Sequence, residues 1–162
     1  MSDWLDGVGL IRLPGGAQVR GRRLADPASA ADFGVVLARG PLPPWPHRWI
    51  RWPDFWVPLD RRDALDALRE AHRRACGGER VEVACHGGIG RTGTALAALA
   101  VLDGLTPAQA LDWVRAGYHP KAIETPCQRH WLTHLTQPPP PAPPQGGRRA
   151  VTYRPFRGPR GR

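Results

Sequence analysis

Lysine is almost missing from this 162-residue chain: it occurs once, at Lys121, and the other 22 cations are arginine. There are three cysteines, two tyrosines, three phenylalanines and one methionine. Three cysteines cannot pair off, and the spacing of Cys76, Cys85 and Cys127 fits neither a disulfide framework nor a zinc site. A reducing, cytoplasmic setting is the expectation. No apolar run is long enough to span a membrane, and the opening MSDWLDG lacks the basic-then-apolar form of a signal peptide. Acids are absent after Gln137, where six arginines follow a PPPPAPPQGG run. Those six account for most of the net charge of +9 and leave +3 for the residues before them. The basic balance is a property of the tail and does not make the rest a nucleic-acid binder.

What is plentiful is alanine, glycine (19), proline (19) and tryptophan (7). With arginine in place of lysine, this suggests a GC-rich, bacterial genome. The length fits one domain. The expected division is a folded unit over residues 1–137 and a disordered Pro/Arg-rich tail over 138–162, the tail offering a contact for an acidic partner.

Along the chain, Val8–Leu13 and Ala17–Leu24 read as a hairpin about Pro14-Gly15-Gly16. Phe33–Ala38 and Arg48–Trp52 are further strands. Asp60 is an N-cap with Asp63 at N3, opening a helix with Leu65, Leu68, Ala71 and Ala75 on its inner face and Gly77-Gly78 at its end. Val81–Ala84 is a short buried strand, and Thr94–Leu102 a helix. Thr106-Pro107-Ala108-Gln109 is a capping box for a helix that turns Ala110, Leu111 and Val114 inward and stops at Gly117. Thr125-Pro126-Cys127-Gln128 repeats that signature ahead of Trp131, Leu132 and Leu135. The fold class is α/β: a mixed sheet with helices packed on it and a binding loop at the carboxyl end of a central strand.

That loop is the stretch VEVACHGGIGRTGT, from Val81 to Thr94. A strand, a glycine-rich turn and a helix start bring backbone N–H groups together on an anion. Cys85 opens the loop and Arg91 closes it. A cysteine at a helix N-terminus beside an arginine is a candidate thiolate nucleophile. The amides of His86, Gly87, Gly88, Ile89, Gly90 and Arg91 are candidates to hold phosphoryl oxygens, with Gly87, Gly88 and Gly90 supplying unusual dihedrals. Arg91 can bind two oxygens as a fork, and the Thr92 hydroxyl can hydrogen-bond the sulfur. Upstream, Trp52-Pro53-Asp54 places an acid in a tryptophan-rich loop able to close over the site and protonate a leaving oxygen. Trp45, Trp49, Trp52 and Trp56 are candidates to line the pocket mouth.

These residues resemble the cysteine-dependent protein-tyrosine phosphatase superfamily, most closely its small dual-specificity members. The motif Cys-x-x-Gly-x-x-Arg-[Ser/Thr] is met by Cys85, Gly88, Arg91 and Thr92, and Trp52-Pro53-Asp54 matches the acid loop. The resemblance implies a protein-tyrosine-phosphatase-like fold and a phosphoric monoester hydrolase working through a cysteinyl phosphate. Cys85 would be the nucleophile, Arg91 the phosphate ligand and Asp54 the acid/base. AIETPCQRHWL resembles the segment carrying a water-positioning glutamine, which implies that role for Gln128. Neither metal nor cofactor is implied. The substrate would be a phosphorylated protein or a small phosphomonoester. One position departs from the pattern: Ala84 stands where the family has histidine, which implies a less stabilised thiolate and slower turnover.

Other readings fare differently. Gly88-Ile89-Gly90-Arg91-Thr92-Gly93 is formally GxGxxG, but no second strand with a terminal acid follows the helix, as a dinucleotide fold requires. Arg91 stands where a Walker loop needs lysine. A rhodanese-like sulfurtransferase would not call for the Trp-Pro-Asp loop. A phosphopeptide-binding module with little turnover stays open because of Ala84.

Overall fold

The structure is a computed structural model that describes Trp4 and residues 7–135; the expected tail over 138–162 lies outside the described residues. Among the described residues, five strands and four helices follow in the order β1 (Leu10–Arg12), β2 (Gln18–Arg23), β3 (Phe33–Val36), β4 (His47–Trp49), α1 (Arg61–Cys76), β5 (Val81–Cys85), α2 (Gly90–Leu102), α3 (Pro107–Gly117) and α4 (Pro126–Thr133). The sheet runs β1-β2-β5-β3-β4. Only the hairpin pair β1–β2 is antiparallel; β2–β5, β5–β3 and β3–β4 are parallel. None of the helices among the described residues is long and apolar enough to cross a membrane.

Strand alternation divides the sheet into two different faces. Val81 and Val83 of β5, beside Val19 of β2 and Phe33 and Val35 of β3, are buried on the helix side. There α1 and α2 pack on the sheet and on each other, and α3 and α4 pack on α2. The intervening Glu82 faces the other way and is fully buried. Its carboxylate accepts from Arg20 (2.6 Å), Arg22 (2.8 and 2.9 Å) and the Trp45 indole (3.1 Å). A carboxylate out of water requires such partners on both oxygens. Trp4 covers Arg20, with the guanidinium 4.1 Å from its ring centroid. Trp45 is therefore tied to this network through its indole and, with Arg22, Asp26 and Leu42, lines a separate cavity.

The helix ends follow local chemistry. Asp60 caps α1 through the N–H groups of Arg62 and Asp63. Both Thr-Pro-x-Gln starts form complete capping boxes. Local signals misjudge other boundaries. Helix α2 starts at Gly90, four residues before the expected Thr94: Gly93 N–H donates to Ile89 and the Thr94 hydroxyl to Gly90 (2.7 Å). Gly, Thr and Gly are weak helix formers, but burial of the whole turn overrides propensity. Strand β4 runs His47–Trp49, shorter than the expected Arg48–Trp52, because the buried Trp52 turns inward and its indole donates to the Trp56 carbonyl (2.7 Å). In α1 the buried face is Ala64, Ala67, Leu68, Ala71 and Ala75, with Leu65 on its edge; in α3 Leu111 is likewise only partly buried.

Candidate active site

Strand β5 lies at the centre of the sheet and delivers Cys85 at its carboxyl end, with Arg23 of β2 opposite it. The loop 86–89 then turns the chain into α2. Gly88 makes the turn: its φ is +66°, and a Cβ there would lie 2.9 Å from the Arg23 nitrogen. An L side chain is excluded by both conformation and space. Gly87 and Gly90, expected to need similar freedom, have no such φ. Gly87 has open space around it, and Gly90 is already helical.

Cys85 is 2 % exposed, and its sulfur accepts from the Thr92 hydroxyl (3.0 Å) and the Gly88 N–H (3.1 Å). Both donors converge on the one sulfur from the loop and from the first turn of α2. The Gly88 carbonyl, on the outer side of the turn, accepts from the Tyr118 hydroxyl (2.5 Å). Burial, then the charge of Cys85, pushes the Tyr118 phenol well above its ordinary value, so it remains a donor.

Arg91 enters the same space from the first turn of α2. Its Nη1 donates to the carbonyls of Trp52 (2.9 Å) and Leu37 (3.2 Å), so the strand ends that frame the site also fix the guanidinium. Its Nε lies 3.3 Å from Asp54 Oδ1. The Asp54 side chain is 60 % exposed and also accepts the Phe55 N–H. Phe55 has φ +57°, a conformation rare for an aromatic residue. The only other described non-glycine residue with positive φ is the fully buried Ile123. Each precedes or follows an acid in the chain, Asp54 before Phe55 and Glu124 after Ile123.

A cavity of about 310 Å³ opens beside Arg91, lined by Arg39, Trp49, Arg51, Trp52 and His86 among others. Of the four tryptophans expected at the mouth, Trp49 and Trp52 are there. Trp56 is exposed and takes part through its carbonyl, which holds both the Trp52 indole and Gln128. His86 faces the cavity, while Ile89 is the N-cap of α2.

Gln128 is fully buried. Its Oε1 accepts from Glu124 (2.9 Å) and Thr125 (3.3 Å), and its Nε2 donates to the Trp56 carbonyl (3.3 Å). It thus joins the start of α4 to the segment just after Asp54. Ala84, in the position before the cysteine, is fully buried between Arg22 and Val36 in the sheet.

Two neighbours of the loop carry no sequence signal. Tyr118 follows the end of α3 with no motif around it. Glu124 lies close against Gly90, where an added Cβ would meet its carboxylate at 2.0 Å. The structure pairs Cys85 with Thr92 and Arg91 with Asp54, and ties Gln128 to the segment just after Asp54.

The family model "Protein-tyrosine phosphatase" matches residues 44–120. The chain is similar to the crystal structure of Tk-PTP in the active form, at 31 % identity and a TM-score of 0.58, covering 65 % of this chain and 78 % of that one. It shares its fold with the crystal structure of DUSP15, at a TM-score of 0.64 and 19 % identity, over 80 % of this chain and 88 % of that one. Human tyrosine-protein phosphatase non-receptor type 4 is 37 % identical over 91 residues, which are 52 % of this chain but only 10 % of that protein.

Proposed function

Since the chain belongs to the protein-tyrosine phosphatase family, we propose that it hydrolyses phosphate monoesters by two displacements at Cys85, acting on phosphorylated proteins in the dual-specificity manner. In the first, the Cys85 thiolate attacks phosphorus. The S–P bond forms, the P–O bond to the leaving group breaks, and Asp54 gives its proton to the departing oxygen. In the second, water attacks the cysteinyl phosphate, Asp54 takes its proton, and phosphate and thiolate are released. Arg91 and the loop amides hold the equatorial oxygens, and their attraction grows as charge shifts onto them. Thr92 hydrogen-bonds the departing sulfur.

The observation that carries this reading is the pairing of a doubly hydrogen-bonded Cys85 sulfur with an Arg91 guanidinium 3.3 Å from Asp54. In the free enzyme Asp54 would rest on the cation that substrate later takes, and phosphate binding would release it toward the leaving oxygen. Gln128, given a water-positioning role by resemblance, has a holding role as well: it clasps the carbonyl of Trp56, two residues past Asp54. The catalytic thiol fits a reducing compartment, proposed as the cytoplasm. Residues 1–137 would be the catalytic unit and the tail a contact for an acidic partner; removing residues after Gln137 should then leave turnover of a small substrate intact.

The test is phosphate release from para-nitrophenyl phosphate without added metal. The native chain should turn over, and Cys85→Ser should lose activity by a factor of about 10⁴ or more. Ala84 favours a second reading, a phosphopeptide-binding module. An inert native chain that still binds vanadate would select it, and a chain that does neither would overturn both.

A further inference from the structure

The far end of α2 carries another cluster. His72 and Cys76 are four residues apart on α1 and share one face of that helix. Packing of α1 on α2 brings Asp103, the C-cap of α2, against them. His72 Nε2 lies 2.8 Å from Asp103 Oδ1 and 3.5 Å from Cys76 Sγ, and all three ligand atoms fall within 4.8 Å of one another.

We propose that His72, Cys76 and Asp103 bind one divalent cation of borderline-soft character, Zn²⁺ above others, at a site separate from the phosphate loop. Both other groups meet a single nitrogen of His72. A cysteine–histidine–aspartate relay needs the sulfur on one ring nitrogen and the carboxylate on the other. Here both meet Nε2, so the cluster is not a nucleophile with its base. One N–H cannot point well at two acceptors on different helices. A cation in place of that hydrogen takes the nitrogen lone pair, the sulfur and the oxygen together. Ligands about 2.0–2.3 Å from a tetrahedral centre stand roughly 3.3–3.8 Å apart. The cluster reaches that spacing by small rotamer adjustments.

Two further features support it. The other oxygen of Asp103, Oδ2, accepts the Gly15 N–H in the β1–β2 turn (2.5 Å), which fixes the carboxylate plane as a backbone donor fixes metal-bound carboxylates. Cys76 is exposed while the Asp103 side chain is only 9 % exposed, so the cluster opens to solvent on the sulfur side, where a fourth ligand, water, would sit. A nitrogen, sulfur and oxygen set suits Zn²⁺ and not Mg²⁺ or Ca²⁺, which take oxygen. Thiolate and carboxylate also neutralise the ion. The 13 residues of α2 put the cluster about 20 Å along the helix from Arg91, so the ion would tie α1, α2 and the hairpin turn together and take no part in catalysis.

The test uses the full chain carrying Cys85→Ser, so that the loop thiol cannot act as the ligand. After stripping with chelator, Zn²⁺ titrated by calorimetry should bind one equivalent and raise the melting temperature. Co²⁺ should give a near-ultraviolet thiolate charge-transfer band with tetrahedral visible bands. Adding Cys76→Ser should remove the thiolate band, and Cys76→Ser or His72→Ala should each weaken binding about tenfold or more. Cys76→Ser changes a partly solvated side chain and should keep the native circular dichroism, so its effect is legible if His72→Ala fails to fold. Absence of Zn²⁺ binding at about ten times the protein concentration, or binding and a thiolate band indifferent to Cys76→Ser, would overturn the proposal.

Discussion

Two helices of this protein start with the same four-residue signature and end up doing different work. Thr106-Pro107-Ala108-Gln109 and Thr125-Pro126-Cys127-Gln128 both close a capping box, threonine to the N3 amide and glutamine back to the N-cap amide. At α3 the box does only that: Gln109 is exposed, and Leu105 before it packs on the core. At α4 the glutamine is buried and reaches two further groups, the Glu124 N–H and the Trp56 carbonyl. The residue before the box, Glu124, lies against Gly90 at the start of α2. A capping signature therefore guarantees a helix end and says nothing about what else that end touches.

Substitutions can break the comparison. The largest effect should come from Gln128→Glu. Glutamate closes a capping box as well as glutamine does, so the box survives. The donor to Trp56 is lost, though, and a carboxylate is buried against a carbonyl. Stability should fall by about 3 kcal/mol in denaturant titration, and aryl phosphate turnover should fall with it as the Asp54 segment loosens. Gln109→Glu at the matching position should change stability by less than about 0.5 kcal/mol and leave turnover unchanged. Equal effects at the two sites would refute the distinction.

Next in size is Gly93→Ala, which attacks the docking of α4 from the other side. An added Cβ would lie 2.5 Å from the Ala122 Cβ and 3.0 Å from its Cα. The 122–124 segment would have to retreat from α2, at about 2 kcal/mol, more than the gain in helix propensity of about 1 kcal/mol. Turnover should drop more than stability explains, because Glu124 and Gln128 move together. A variant of unchanged melting temperature and activity would show that this packing is slack.

The threonine caps give the smallest and most symmetrical test. Thr106→Ala and Thr125→Ala should each cost about 1 kcal/mol of stability. Only Thr125→Ala should reduce kcat, since only that cap orients a glutamine tied to the acid loop. A parallel loss of kcat in Thr106→Ala would mean that capping alone, and not the link to Trp56, matters for turnover.

Much of the molecule was legible because its signals are local. Caps, proline at N1 and glycine after a C-terminus act within four residues, so Asp60, Thr106, Thr125 and Gly77 could be placed by inspection. Spacing also made the loop readable: a strand end, Cys85, Gly88, Arg91 and Thr92 fall within eight residues. The start of α2 was not readable, because Gly90–Gly93 is helical only under the packing of the 122–123 segment. Nor was the reach of Trp45, which shares its burial with Glu82 on a strand 37 residues away.

The sequence by itself determined the order of elements, the capping of α1, α3 and α4, and the short loop that joins a nucleophile-type cysteine to an arginine. Each depends on bonds or spacings within a few residues, where chain connectivity does the positioning. Only the tertiary structure decided that Asp54 meets Arg91, that Tyr118 holds the loop carbonyl, that Gln128 clasps the Trp56 carbonyl and that His72, Cys76 and Asp103 converge. Those contacts join residues 4 to 72 positions apart, most of them on different elements. They exist because burying the faces of α1, α2 and the sheet leaves few ways to pack them, and side chains distant in sequence then become neighbours.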